Sequence, residues 1–108
     1  EDNLFAGVNF SSAVLTPNGD RINDELTLSY ILLKATNPVN IRVVVHNLAG
    51  QEIVRIYDRY DLSGPNQVTW NGRDGSGRTV PPGLYVVRLS ADTDAGETTE
   101  MRSIAVVY

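Results

Sequence analysis

Cysteine is absent from the 108 residues of the chain, and His46 is its one histidine. Disulfides, thiolate metal sites and a cysteine nucleophile are therefore excluded. A Ser-His-Asp site would have to use His46, which lies in an alternating stretch typical of a strand, and the sequence contains no nucleophile elbow. We therefore expect no enzymatic activity and no catalytic residues.

Positive charge and long apolar runs are also scarce. Nine Lys and Arg residues stand against thirteen Asp and Glu, so the formal net charge is −4 and the pI is about 4.8. Nucleic-acid binding needs clustered basic residues, and here they are scattered. No run approaches the roughly 18 apolar residues of a membrane span. We therefore expect that the chain neither binds nucleic acid nor inserts into a membrane.

The length suits one compact domain, residues 1–108. The chain begins with Glu1 rather than Met. We therefore expect a processed product, or a piece of a longer protein whose signal peptide is gone.

What the chain does have is the two-residue period of β-strands. Apolar residues recur at every second position in 26–30, 41–46 and 85–89, with polar residues or valine between them. β-branched residues fill the last segment, and Gly, Pro, Asn and Asp separate these runs. Such frequent short strands predict an all-β fold, an antiparallel β-sandwich of about seven to eight strands. Trp70, the single tryptophan, is expected to anchor the core between the sheets.

The stretch TPNGDRINDE, residues 16–25, allows two interpretations. Asn18, Asp20, Asn23 and Asp24 offer several oxygens of the kind that Ca²⁺ prefers. The stretch does not follow the EF-hand pattern, however. A polar turn, in which Asn18-Gly19 bends the chain and the Asp residues cap backbone amides, explains the same residues. We prefer the turn and keep a calcium site as the alternative, with no other cofactor expected.

Three segments resemble known domains of exported bacterial proteins. VTWNGRDGSGRTVPPGLYVVRLSA, residues 68–91, resembles the signature of FlgD-type Ig-like domains, in which a Trp-Asn/Asp-Gly-Arg-Asp segment leads to Val-Pro-x-Gly-x-Tyr. The preceding IRVVVHNLAGQEIVRIY resembles the hairpin of these domains. TPNGDRINDELTLSY is similar to the opening of gliding-motility-type C-terminal domains, although Arg21 stands where that motif usually has Gly.

The resemblance implies an Ig-like sandwich at the C-terminal end of a large exported bacterial protein, including substrates of type 9 secretion. The localisation would be extracellular or at the cell surface, with the periplasm possible. The implied function is a non-enzymatic accessory module that acts as a spacer, an anchor or a secretion and sorting surface. Its partners would be other domains of the parent protein or neighbouring subunits.

Two other functions stay open. The chain could be a subunit of a fibre or sheath that assembles by strand-edge pairing, for which the apolar N-terminal segment would serve as the added strand. A carbohydrate-binding module would need several coplanar exposed aromatic rings, and Trp70, Tyr57 and Tyr60 are the nearby candidates.

Overall fold

The computed structural model describes residues 4–17, 24–33, 37–93 and 96–107. The described residues form strands and no helix, as the two-residue period predicted. The eight strands are β1 Phe5–Phe10, β2 Val14–Leu15, β3 Leu26–Leu32, β4 Val39–Asn47, β5 Glu52–Asp61, β6 Gly64–Trp70, β7 Gly83–Thr93 and β8 Gly96–Val106.

The strands form two sheets that face each other. The small sheet has the order β1-β3-β6, and the large sheet has the order β2-β8-β7-β4-β5. All neighbours pair antiparallel except β2 and β8, whose short parallel ladder places Val14 and Leu15 beside Ala105 and Val106. The antiparallel β-sandwich predicted from the sequence is confirmed, and the short β2–β8 ladder is its one parallel pairing among the described strands. The chain crosses from the small sheet to the large sheet between β1 and β2, and there it runs along the final strand.

The core lies between the sheets and follows the alternation of the sequence. In β3, for example, the residues at every second position are buried, whereas Thr27 and Ser29 between them are not. Buried hydrophobic residues come from both sheets and from the loop after β6: Phe5, Leu15, Leu26, Leu28, Tyr30, Leu32, Val39, Ile41, Val43, Val45, Val68, Trp70, Val80, Tyr85, Val87, Leu89, Ala91, Ile104 and Val106.

Trp70 is only 3% exposed, which confirms its predicted position in the core. Its indole Nε1 donates a hydrogen bond of 2.9 Å to the carbonyl of Arg73, and its ring meets that of Tyr85 edge-on at 6.0 Å. The Tyr85 hydroxyl donates to the carbonyl of Pro81 at 2.7 Å. Both large aromatic residues thus bury their rings and satisfy their polar atoms with nearby backbone.

β7 is longer than the alternation predicted, since it has 11 residues and pairs along its whole length with the 11 residues of β8. On the face of β8 that continues the core, Glu100 and Arg102 stand opposite Leu89 and Val87. They form an ion pair of 3.2 Å and both stay partly exposed. The alternation of apolar residues stops where Glu100 and Arg102 begin, although the hydrogen-bonded ladder continues to Gly96.

Candidate functional site: the open strand edges

The predicted calcium residues lie mostly outside the described residues. Asn18, Asp20 and Asn23 are not described, and Asp24 lies just before β3. Within residues 4–17, 24–33, 37–93 and 96–107, no group of three or more His, Cys, Asp or Glu side chains could hold a metal ion. The calcium site therefore stays a prediction.

The acidic residue of the loop after β6 stabilises the turn itself. One carboxylate oxygen of Asp74 accepts hydrogen bonds from the amide and the hydroxyl of Ser76, at 2.9 and 2.7 Å, and from the amide of Arg78 at 3.0 Å. The hydrogen bond from Ser76, followed by that from Arg78, lowers the pKa of Asp74. The amide of Gly75 donates to the carbonyl of Ile53 at 3.2 Å, so the loop is attached to β5.

His46 lies on the outer face of the large sheet, opposite Glu52 of β5 and Val86 of β7. Ion pairs occupy other parts of this face: the carboxylate of Glu97 contacts both Arg42 and Arg88 at 3.2 Å. These side chains are about one third exposed or more, and such solvated pairs contribute little to stability. The face shows the composition of a solvent-facing surface rather than that of a reaction site.

A polar cluster connects the two sheets where β5 passes into β6. The side-chain amide of Asn66 lies 2.8 Å from the hydroxyl of Tyr30 and 3.1 Å from that of Tyr57, and Tyr57 donates to Asp61 at 2.6 Å. Burial raises the pKa of Tyr30 to about 12, against the hydrogen bond from Asn66, which lowers it. The cluster joins β5 of the large sheet to β3 and β6 of the small sheet. At this point hydrogen bonds, rather than apolar side chains, connect the two sheets.

Three of the four places where a sheet ends, at β1, β5 and β8, carry features that obstruct pairing with a further strand. β1 has an irregular register between Ala6 and Asn9, with Gly7 at a φ of 61°. β5 has two register irregularities opposite β4 and contacts the Gly75 loop through Ile53. On β8, beyond the short β2, the guanidinium of Arg102 donates to the carbonyl of Met101 at 2.9 Å. Bulges, charged side chains and covering loops are the usual means by which proteins prevent pairing at an edge.

The edge of β6 differs from these. Its pairing with β3 is regular over seven residue pairs, from Leu26 opposite Trp70 to Leu32 opposite Gly64. Its outward side chains, at Pro65, Gln67 and Thr69, are exposed and uncharged. β6 is the last strand of the small sheet, which has three strands where the opposite sheet has five.

An open cleft of about 490 Å³ lies between β6 and β5. Val54 and Ile56 of β5 and Trp70 of β6 supply apolar surface, and the Asp74 loop forms one end. The half-buried Val54 and Ile56 pack against the core without being covered. The described part of the chain thus combines an unobstructed strand edge with an apolar cleft.

The family follows from comparison with known proteins. A family model described as the FlgD Ig-like domain matches residues 20–95, well over half of the chain. The chain belongs to the FlgD Ig-like domain family. A search of curated proteins finds no match.

Solved structures share the fold of this FlgD Ig-like domain. Dimeric latent PorU from Porphyromonas gingivalis superposes with a TM-score of 0.69 and 16% identity, over 93% of this chain and 9% of PorU. FlgD from P. aeruginosa superposes with a TM-score of 0.60 and 24% identity, over 76% of this chain and 61% of FlgD. PorZ, a surface component of the type-IX secretion system of P. gingivalis, superposes with a TM-score of 0.56 and 20% identity, over 94% of this chain and 12% of PorZ. The chain spans less than two thirds of each relative.

The open edge of this FlgD Ig-like domain was not among the residues singled out from the sequence. Pro65 was the available signal, because a proline inside a strand indicates an edge position. Alternation alone could not show which strands end a sheet, since that depends on the strand order.

No helix in the described part of the chain has the length and apolarity that a membrane crossing requires.

Proposed function

We propose that the chain is a non-enzymatic accessory module of an exported bacterial surface or secreted protein, and that it serves as a spacer, an anchor or a secretion and sorting surface. The main support is the coverage of its structural relatives. PorU and PorZ contain this fold as 9% and 12% of their chains, so the same fold occurs as a small part of much larger proteins. An extracellular or cell-surface position, or the periplasm, is part of the proposal.

The internal pairing of the N-terminal segment supports a module over a fibre subunit. β1 pairs with β3 of its own chain, and β2 pairs with β8. Phe5 is 7% exposed and Leu15 is fully buried, so the segment fills the core of its own sandwich. A fibre built by exchange of this segment would have to remove it from that core.

The aromatic residues argue against a carbohydrate-binding platform. Trp70 is buried between the sheets, and Tyr57 is partly buried with its hydroxyl bound to Asp61. Tyr60, at 72% exposure, is the one of the three candidate rings that faces solvent. Stacking on a sugar chain calls for several exposed rings in one plane, so we favour the structural role.

Size-exclusion chromatography with light scattering, together with a deletion of residues 1–12, tests the proposal. We expect the full chain to be monomeric at micromolar concentration. The deletion should unfold it or lower its melting temperature strongly, because β1 and the Phe5 contacts are lost. Deletion of residues 1–3 alone is the control and should leave both properties unchanged.

The opposite result would favour the fibre subunit. In that case the full chain would elute as a multimer, and the deleted form would be a folded monomer.

A further inference from the structure

The direction of the backbone groups shows what the edge of β6 can bind. The amide of Ser11 donates to the carbonyl of Thr27 at 2.9 Å, and the amide of Leu33 donates to the carbonyl of Leu4 at 2.7 Å. Odd-numbered residues of β3 therefore direct their backbone groups toward β1, and even-numbered ones toward β6, because the direction alternates along a strand.

The register transfers this alternation to β6. Val68 stands opposite Leu28 and Asn66 opposite Tyr30, so their backbone groups face β3. The backbone N–H and C=O groups of Gln67 and Thr69 therefore face the open side of β6, away from β3. The carbonyl of Pro65 faces the same side. The missing N–H of Pro65 is on that open side, which is where proline is tolerated in a sheet.

The same argument shows why the edge of β8 is a poorer template. The amides of Ala105 and Val107 donate to the carbonyls of Ala13 and Leu15, both at 2.9 Å. The backbone groups of odd-numbered β8 residues therefore face this side. They include those of Met101 and Ser103, which lie beyond the N-terminal end of β2. There the Arg102 guanidinium already binds the carbonyl of Met101. An incoming strand would have to displace this charged group, whereas nothing comparable is found at Gln67 and Thr69.

We propose that the edge of β6 binds an extended segment of another polypeptide, which adds to the small sheet as a fourth strand and places an aliphatic side chain in the cleft beside Val54, Ile56 and Trp70. Outward N–H and C=O groups at two-residue spacing match an extended backbone. Side chains of an added strand would alternate between the outer surface and the space between the sheets. The inward ones would meet the apolar cleft, and the outward ones would lie beside Gln67 and Thr69, which favours an uncharged, β-branched segment.

A second copy of the chain fits this edge less well. Two β6 strands paired antiparallel around Gln67 would place each Pro65 opposite Thr69 of the other copy. The Pro65 residues donate no hydrogen bond, so two bonds of the ladder would be lost. The inward residues of β6, Val68 and Trp70, already fill their own core. They could not enter the cleft of the other copy, which would stay uncovered.

The test uses the full chain and a synthetic probe, acetyl-Thr-Val-Thr-Ile-Thr-amide, followed by NMR and by the fluorescence of Trp70. We expect the amide resonances of Gln67 and Thr69 to shift on titration. In the free protein these two amides should exchange with solvent faster than those of Val68 and Asn66. A probe that is N-methylated at alternate residues lacks the donors for the ladder and should not bind.

Matched proline variants distinguish this edge from the others. Thr69→Pro and Gln67→Pro each remove one outward N–H without breaking the pairing with β3, and should weaken binding about tenfold or more, equivalent to about 1.4 kcal/mol. Ser103→Pro removes an outward N–H from the edge of β8 and should leave the affinity unchanged. Melting temperatures close to that of the parent would show that the variants fold.

Several results would overturn the proposal. No binding of the probe at millimolar concentration would do so, as would shifts at Met101 and Ser103 in place of Gln67 and Thr69, or unchanged affinity in both β6 variants. Dimerisation without probe, with Gln67 and Thr69 protected, would identify a second copy as the occupant. A monomer that fails to bind the probe would leave the accessory-module proposal intact, so the two can fail separately.

Discussion

At the scale of single residues, Gly72 shows how the turn after β6 closes the end of the sandwich. It has a φ of 80°, and a Cβ placed there would lie 2.9 Å from Cδ2 of Leu15 and 3.3 Å from Cγ of Pro17. Leu15 is fully buried and has little freedom to move. We expect Gly72→Ala to lower the free energy of unfolding by about 2–4 kcal/mol, from the left-handed backbone and the close contacts together.

Gly77→Ala is the matched control, since Gly77 has a φ of 89° but nothing within 4 Å of the added Cβ. It should show only the backbone cost, about 1–2 kcal/mol. Urea unfolding of the two variants checks this. Equal losses would mean that the contact with Leu15 relaxes freely.

Tyr30 makes stability depend on alkaline pH. Burial raises its pKa to about 12 in the folded chain, above the ordinary value of 10.0. Between these values the unfolded chain releases the phenolic proton and the folded chain keeps it. The contribution of the neutral Tyr30 phenol to the free energy of unfolding is therefore complete below about pH 10 and is lost as the pH rises toward 12. The pKa of Tyr57 is also raised, mainly by burial and next by its hydrogen bond to Asp61. Tyr57 therefore also lowers the stability of the fold as the pH becomes alkaline.

Urea titrations at pH 9, 10 and 11 measure this effect. Tyr30→Phe should flatten the decline above pH 10, whereas Tyr60→Phe, at a side chain 72% exposed, should not. A decline that is identical in all three proteins would contradict a role for the buried phenol.

At the scale of elements, the segment that leads into β3 carries the remaining metal prediction. If Asn18, Asp20, Asn23 and Asp24 bind Ca²⁺, millimolar calcium should raise the melting temperature, because a ligand that binds only the folded state stabilises it. Asp20→Ala should abolish the rise. Asp92→Ala, at an exposed position of β7, is the control and should retain it. A melting temperature independent of calcium would leave the polar turn as the explanation of this segment.

The strands themselves were largely predictable because their alternation is local. In β4, Ile41, Val43 and Val45 are all fully buried, as their spacing indicated. The hairpin of β4 and β5 also formed across the short Gly-containing connection, where Asn47 and Gln51 bond to each other. The pairing of β2 with β8 was not predictable in this way, because a two-residue strand carries no period and its partner lies about ninety residues away.

At the scale of the whole molecule, one core connects the two sheets. Trp70 packs between them, and the polar cluster around Asn66 joins β5 to β3 and β6. We expect unfolding in urea to be two-state, so that the fluorescence of Trp70 and the far-ultraviolet circular dichroism give one coincident transition. Such a transition would support the single domain expected for residues 1–108. Separate midpoints would indicate that the sheets, or parts of the chain, unfold independently.

The sequence by itself determined the fold class, the position of Trp70 and the family, because alternation, turn residues and the Trp-to-Tyr signature are properties of neighbouring residues. It also excluded cysteine chemistry outright. Only the tertiary structure decided which strands end the sheets, and it alone brought Tyr30, Tyr57, Asp61 and Asn66 together. The physical reason is that a strand edge is defined by the neighbour that it has or lacks. The same sequence pattern serves a central strand and an open edge, and the hydrogen-bond directions that distinguish Gln67 from Val68 exist only once β6 has paired with β3.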